Sequence, residues 1–207
     1  MKLLLTSAGS RVKDELLKFI PQPYNQTKIA YITTAAKVEP DAFYLNAENK
    51  FLKGTGCQVE EMDFVDCDKE DCRKLLEDKN LIYIQGGNTF YLLKILKESG
   101  AFDVIKEKVE SGVPYVGVSA GSYVACPTIE MATWSHQDKN HRGLEDFTAF
   151  GFVPFLMSVH YKDKYKEILK EEMKKTDLEV KILKDGQALL VEGKDVELVG
   201  DKEENKL

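Results

Sequence analysis

Short runs of apolar, β-branched and aromatic residues alternate with longer amphipathic stretches through about the first 126 of this chain's 207 residues. That rhythm constrains the fold more than any other feature. A strand covered on both faces reads as a nearly continuous apolar run, and two parallel strands need a crossover of a dozen or more residues, usually a helix. Candidate strands are Lys2–Thr6, Lys28–Thr33, Gln58–Asp63, Leu81–Ile84, Tyr115–Val118, Val180–Ile182, Ala188–Glu192 and Val196–Val199. Between them fall candidate helices Arg11–Phe19, Glu39–Lys53, Lys69–Asp78, Thr89–Glu98 and Phe102–Ser111, a short one after Ser119, and Tyr161–Lys175. In Thr89–Glu98, Leu92, Leu93 and Leu96 recur at helical spacing while Lys94 and Lys97 face away. The expected fold is therefore α/β, a doubly wound, mostly parallel sheet flanked by helices. The closing "ALLVEGKDVELVG" reads as two strands around a Gly-Lys-Asp turn, which adds an antiparallel C-terminal hairpin. We expect one α/β domain over residues 1–200 and a frayed charged tail over 201–207.

Composition removes several classes of function. Charged residues make up 31% and the net charge is −6, which speaks against a phosphate-binding footprint and hence against nucleic acid as a partner. No run approaches the ~18 apolar residues of a membrane span. The opening "MKLLLTSAGS" is too short in apolar residues for a secretory signal and reads as a first strand. Cys57, Cys67, Cys72 and Cys126 lack metal-ligand spacing and read as reduced thiols of a cytoplasmic protein. No metal or organic cofactor is implied. A homodimer is compatible with the sequence, although no interface residue stands out.

In an open α/β sheet, ligands bind at the carboxyl ends of the strands. Two such ends carry the same four letters, "SAGS", at 7–10 and at 119–122. A serine hydroxyl becomes nucleophilic only when it is held out of the sheet beside a base. The turn that does this needs small residues two before and two after the serine. Gly117-Val118-Ser119-Ala120-Gly121 meets that need, whereas Leu5 stands where the first glycine would precede Ser7. Ser119 is thus the candidate nucleophile, and Ser7 reads as a turn residue on the same rim, the repeat itself as coincidence. Of the three histidines, His136 and His141 fall in a polar stretch. His160 follows the apolar "FVPFLMSV", which delivers it to a strand end as the candidate general base. Asp185, 25 residues further on and just past a strand, is the favoured partner for its other ring nitrogen, with Glu130, Asp138, Glu145 and Asp163 as alternatives. The backbone N–H groups of Ala120 and Gly87 are candidates for an oxyanion hole. Gly86 lets backbone approach a ligand closely, and Asn88 can both cap the following helix and touch substrate.

The segments "IYIQGGNTFYLLKIL" and "YVGVSAGSYVACPTI", followed by an apolar run ending "VHY", resemble the peptidase E family of α-aspartyl dipeptidases, which also includes the cyanophycinases. The resemblance runs from the first strand to the final hairpin. It implies a class I glutamine amidotransferase-like fold, with Ser119 where that wider superfamily usually bears cysteine. Carried over residue by residue, the family's nucleophile falls on Ser119 and its histidine on His160. The acid that relatives often carry after "CPTI" falls at Thr133-Trp134, where none is present. A second acidic position, in the turn before the penultimate strand, falls on Asp185. Residues 131–147 occupy the segment in which relatives hold substrate, and Arg142 is the best candidate there for an acidic side chain, ahead of His141 and Lys139.

The resulting expectation is a serine peptidase of the peptidase E type, hydrolysing the amide bond of dipeptides, those with an N-terminal aspartate among the candidates, by a Ser-His-acid mechanism. The alternatives are a cyanophycinase-like β-aspartyl exopeptidase, which an acidic site lining would favour, and a non-catalytic small-molecule-binding relative. An α/β-hydrolase esterase ranks below both.

Overall fold

The apolar runs pair edge to edge in the computed structural model, which describes residues 1–39, 43–134 and 138–203. The strands are β1 (Lys2–Thr6), β2 (Lys28–Ile32), β3 (Gln58–Met62), β4 (Leu81–Ile84), β5 (Tyr115–Val118), β6 (Leu156–Ser158), β7 (Val180–Ile182), β8 (Gln187–Glu192) and β9 (Asp195–Gly200). Seven form one sheet in the order β3-β2-β4-β5-β1-β8-β9. The first five are parallel, and β8 and β9 extend the sheet antiparallel beyond β1. The architecture is the expected α/β sheet with an antiparallel C-terminal hairpin.

Helices follow from the amphipathic stretches: α1 (Lys13–Phe19), α2 (Phe43–Gly54), α3 (Lys69–Leu76), α4 (Thr89–Glu98), α5 (Ala101–Glu110), α6 (Ala120–Tyr123) and α7 (Lys166–Met173). Alternation along the strands divides the core between the two faces. Leu3, Leu5, Ile82 and Ile84 meet α3, α4 and α5 through Leu76, Leu93 and Ile105. On the other face Leu4, Leu81 and Tyr83 meet α1 and α2 through Leu16, Phe19 and Leu52. Helices α1, α2 and α7 start later than their sequence pattern suggests. Gly9–Arg11 forms a 3-10 turn ahead of α1. Lys162 stays extended and Asp163–Tyr165 makes a 3-10 turn ahead of α7, while the Tyr161 N–H bonds the Leu183 carbonyl at 3.0 Å.

Beside the main sheet, β6 and β7 form a parallel two-stranded ribbon with Ser158 opposite Ile182. Val159 N–H donates to the Tyr123 hydroxyl of α6 at 3.2 Å, tying the ribbon to the turn that follows β5. The long connection from α6 to β6 is pinched at its base. A Thr128–Thr148 bridge and the bonds Ile129 N–H to Phe147 O (3.0 Å) and Ala149 N–H to Pro127 O (2.9 Å) close it. At the far end of the chain, Asp201 N–H bonds Gly186 O, and the Gln187 amide donates to the Asp201 and Glu203 carbonyls.

Helix α6 folds back onto β5 and β4 so closely that no side chain fits between them. A Cβ on Gly117 would stand 2.5 Å from the Gly121 carbonyl oxygen, and one on Gly121 would overlap the Ile84 carbonyl. Gly117→Ala and Gly121→Ala should each cost about 1–3 kcal/mol through overpacking. Thermal unfolding should show this as a Tm several degrees lower; an unchanged Tm in both would refute the packing argument.

Candidate active site

The carboxyl ends of β1, β4 and β5 open onto a cavity of about 470 Å³ lined by Ser7, Gly86, Gly87, Ser119 and His160, among others. Its geometry begins with strand register. Leu5 pairs with Gly117 and Thr6 with Val118 across β1 and β5. The next residues of each strand, Ser7 and Ser119, therefore leave the sheet side by side. Ser119 N–H donates to Thr6 O at 2.9 Å. The repeated Ser-Ala-Gly-Ser thus marks two neighbouring strand ends in register.

Ser119 adopts φ 49° and ψ −106°, a sparsely populated region for a non-glycine residue that costs on the order of 1–3 kcal/mol. The bonds Ser122 N–H and Tyr123 N–H to Ser119 O, at 2.8 and 3.0 Å, hold it there. The conformation lifts Oγ out of the sheet to 3.0 Å from His160 Nε2. His160 leaves the end of the β6–β7 ribbon, also with positive φ, at 55°. Across the ribbon, the Tyr161–Leu183 bond brings the chain after β7 alongside the histidine. Asp185 consequently sets Oδ1 2.6 Å from His160 Nδ1. Of the five candidate carboxylate partners, Asp185 is the one bonded to the ring.

Asp185 sits in a tight turn closed by Gln187 N–H to Lys184 O at 3.1 Å and Lys184 N–H to Gln187 Oε1 at 2.8 Å. Its carboxyl is held down at about 2 by the hydrogen bond with His160, against a smaller opposing push from burial and with help from the Ser7 hydroxyl and Lys162.

Ser7 corrects the sequence reading most. It is wholly buried rather than a simple turn residue. Its Oγ donates to Asp185 Oδ1 at 2.6 Å, accepts His160 N–H at 2.9 Å and lies 3.2 Å from His160 Nδ1. A reader of the sequence could find it only by trusting the repeated tetrapeptide and knowing that β1 and β5 are neighbours.

The Gly-rich end of β4 closes the cavity on the other side. Gly86 N–H is taken by Gln85 Oε1 at 2.7 Å. Among the described residues, the Gly87 and Ala120 N–H groups have no protein acceptor. Gly87 has φ 140°, and a Cβ there would overlap the Ala35 carbonyl. Asn88 caps α4 by accepting Tyr91 N–H at 2.9 Å, and its amide donates to Lys139 O at 3.2 Å.

Arg142 does not line the cavity at Ser119. Its guanidinium lies over the Tyr91 ring, 5.7 Å from the centroid. There it lines an adjoining cavity of about 270 Å³ with Asn88, Lys139 and His141. His136 lies outside the described residues. Three carboxylates line the main cavity: Glu39 and Glu48, to which the sequence assigns no role, and Asp138, an alternative there to Asp185. Glu48 is almost fully buried, bonded by the Tyr83 hydroxyl, and approaches so near Gly9 that any side chain there would collide with it. Burial pushes the Glu48 carboxyl up, opposed by Tyr83, Lys13 and a Ser10 backbone bond. Asp138 accepts Thr89 N–H at 2.9 Å, and burial pushes its carboxyl up too. Among the described residues, no group of His, Cys, Asp and Glu could hold a metal ion.

A model of peptidase family S51 matches residues 3–199. The chain belongs to peptidase family S51. This S51 peptidase is 31% identical over 197 residues to an uncharacterized peptidase of Listeria monocytogenes serovar 1/2a, covering 94% of this chain and 96% of the relative. It is 29% identical over 217 residues to peptidase E of Nostoc sp. PCC 7120, covering 97% and 86%. Its fold superposes with a TM-score of 0.86 on the crystal structure of a candidate peptidase E protein from Listeria monocytogenes EGD-e, at 28% identity over 96% and 98% of the two chains.

The position of the Asp185 carboxyl has a measurable consequence. A folded-state value of about 2 lies below the ordinary value of about 3.9. The pair therefore adds stability that is complete above about pH 4 and lost as the pH falls through about 2. The Asp185 carboxyl carbon should titrate near pH 2 by ¹³C NMR; a midpoint at the ordinary value would contradict the pairing.

Proposed function

We propose that this S51 peptidase is a serine-type dipeptidase of the peptidase E kind. The observation that carries the reading is the His160 ring, with Nε2 at 3.0 Å from Ser119 Oγ and Nδ1 at 2.6 Å from Asp185 Oδ1. Asp185 is ionised, so Nδ1 keeps its hydrogen and Nε2 is free to accept one. Ser119 Oγ attacks the peptide carbonyl while Nε2 takes its proton. The carbonyl oxygen becomes an anion, received by the Gly87 and Ala120 N–H groups. Collapse breaks the C–N bond, and His160 returns the proton to the leaving amine. Water then attacks the acyl-Ser119 ester with His160 again as base, releasing the acid and restoring the serine. The strained Ser119 backbone supports this role, because strain of that kind is retained where a side chain must be aimed.

The lining supports a substrate with both charges. Glu39, Glu48 and Asp138 suit the α-ammonium of a short peptide, and the neighbouring Arg142, Lys139 and His141 suit an aspartyl carboxylate. The same three carboxylates favour a second reading, a cyanophycinase-like exopeptidase that receives the guanidinium of β-Asp-Arg. The four free cysteines support a reducing, cytoplasmic setting. Among the described residues no helix is long and apolar enough to cross a membrane.

Ser119→Ala should abolish hydrolysis with the fold intact, and Asp185→Asn should lower kcat by up to about 10⁴-fold. A fluorophosphonate should label Ser119 in the wild type; absence of labelling would favour a non-catalytic binding protein. Steady-state assays should give a higher kcat/KM for Asp-Leu than for β-Asp-Arg, and the reverse order would assign the second reading.

A further inference from the structure

The Ser7 hydroxyl occupies a position that hydrolysis by Ser119, His160 and Asp185 does not by itself explain. A hydroxyl has one hydrogen to give and two lone pairs to offer, and here all three are in use. The hydrogen goes to Asp185 Oδ1 at 2.6 Å. One lone pair accepts His160 N–H at 2.9 Å, and the other faces His160 Nδ1 at 3.2 Å. We propose that Ser7 is a positioning residue for the peptidase reaction. It fixes the backbone of the general base, the acceptor oxygen of Asp185 and the ring tautomer together.

The three effects follow from the same atom. His160 has φ 55°, unfavourable for a non-glycine residue, and its N–H is anchored on Ser7 Oγ. Asp185 is about half exposed at its side chain, so without a second partner its carboxylate could turn toward water. The Ser7 hydrogen pins Oδ1, the oxygen that faces the ring. With that hydrogen committed, Ser7 and ionised Asp185 both present only lone pairs to Nδ1. Nδ1 must then carry the ring hydrogen, and Nε2 meets Ser119 as an acceptor. The in-register pairing of β1 with β5 supplies the geometry, so one imidazole spans the first serines of both Ser-Ala-Gly-Ser segments.

This inference rests on the proposed function, and the test separates the two. Ser7→Ala, the near-isosteric Ser7→Cys and the hydroxyl-retaining Ser7→Thr are compared with Ser119→Ala, using Asp-Leu hydrolysis and fluorophosphonate labelling. Loss of a hydrogen bond to a charged group should lower kcat about ten- to a hundredfold in Ser7→Ala and Ser7→Cys. KM should stay within about twofold, because the lost interaction orients the base rather than binding substrate. Ser7→Thr should recover most of the rate. The downfield ¹H NMR signal of the His160 Nδ1 proton should weaken in Ser7→Ala, a change that a merely structural serine would not cause. If Ser7→Ala does not fold, Ser7→Cys carries the same comparison. Wild-type kcat in the Ala and Cys variants, or a raised KM at unchanged kcat, overturns the role of Ser7 while an inactive Ser119→Ala leaves the peptidase reading standing. An active Ser119→Ala overturns that reading itself.

Discussion

The parallel pairing of β1 with β5 is the constraint on which the site depends. Its register sets Thr6 against Val118, so the two serines that follow emerge together. Every other element at the site arrives relative to that pair. The antiparallel strand β8 lies on the far side of β1, with Thr6 Oγ1 bonded to Gln187 O at 2.9 Å. That bond anchors the turn bearing Asp185 to the same strand end. A slip of one residue between β1 and β5 would send one serine to the opposite face of the sheet.

The histidine comes from outside the main sheet. A strand of three residues, β6, would be marginal alone. It is held by β7 on one side and by the Tyr123 hydroxyl on the other. Tyr123 is itself part of the helical turn that begins at Ser119. The candidate nucleophile and the candidate base are therefore braced against each other through α6, not merely brought near by folding. Two residues with positive φ, Ser119 and His160, face each other across this brace. Their strain is sustained by a buried surround that includes Tyr123, Val124 and Val159.

Much of this was legible in the sequence because it is written locally. The apolar runs and helical spacings match the strands and helices, apart from β6, which shows only as the apolar run before His160, and end effects such as the turn before α7. The glycines around Ser119 announced a strand-to-helix turn, and an apolar run led to His160. What the sequence hid depends on which strands are neighbours. Ser7 looks like a turn residue until β1 is known to lie beside β5. Glu48 reads as one polar position on an amphipathic helix, and only the fold brings it over Gly9. Arg142 has the chemistry to hold a carboxylate, but its guanidinium lies over the Tyr91 ring and lines the adjoining cavity.

The pinch at Thr128–Thr148 divides labour along the chain. Its two strands of backbone are fastened to each other before the connection spreads out to carry Asp138, Lys139, His141 and Arg142. Just beyond the fastening Met131, Ala132 and Trp134 turn into the core, so the part open to recoding is the exposed stretch over 139–143. A lineage built on this scaffold can recode the wall of the cavity lined by Lys139, His141 and Arg142 by editing that short stretch. Ser119 and His160, rooted below the fastening, need not change with it.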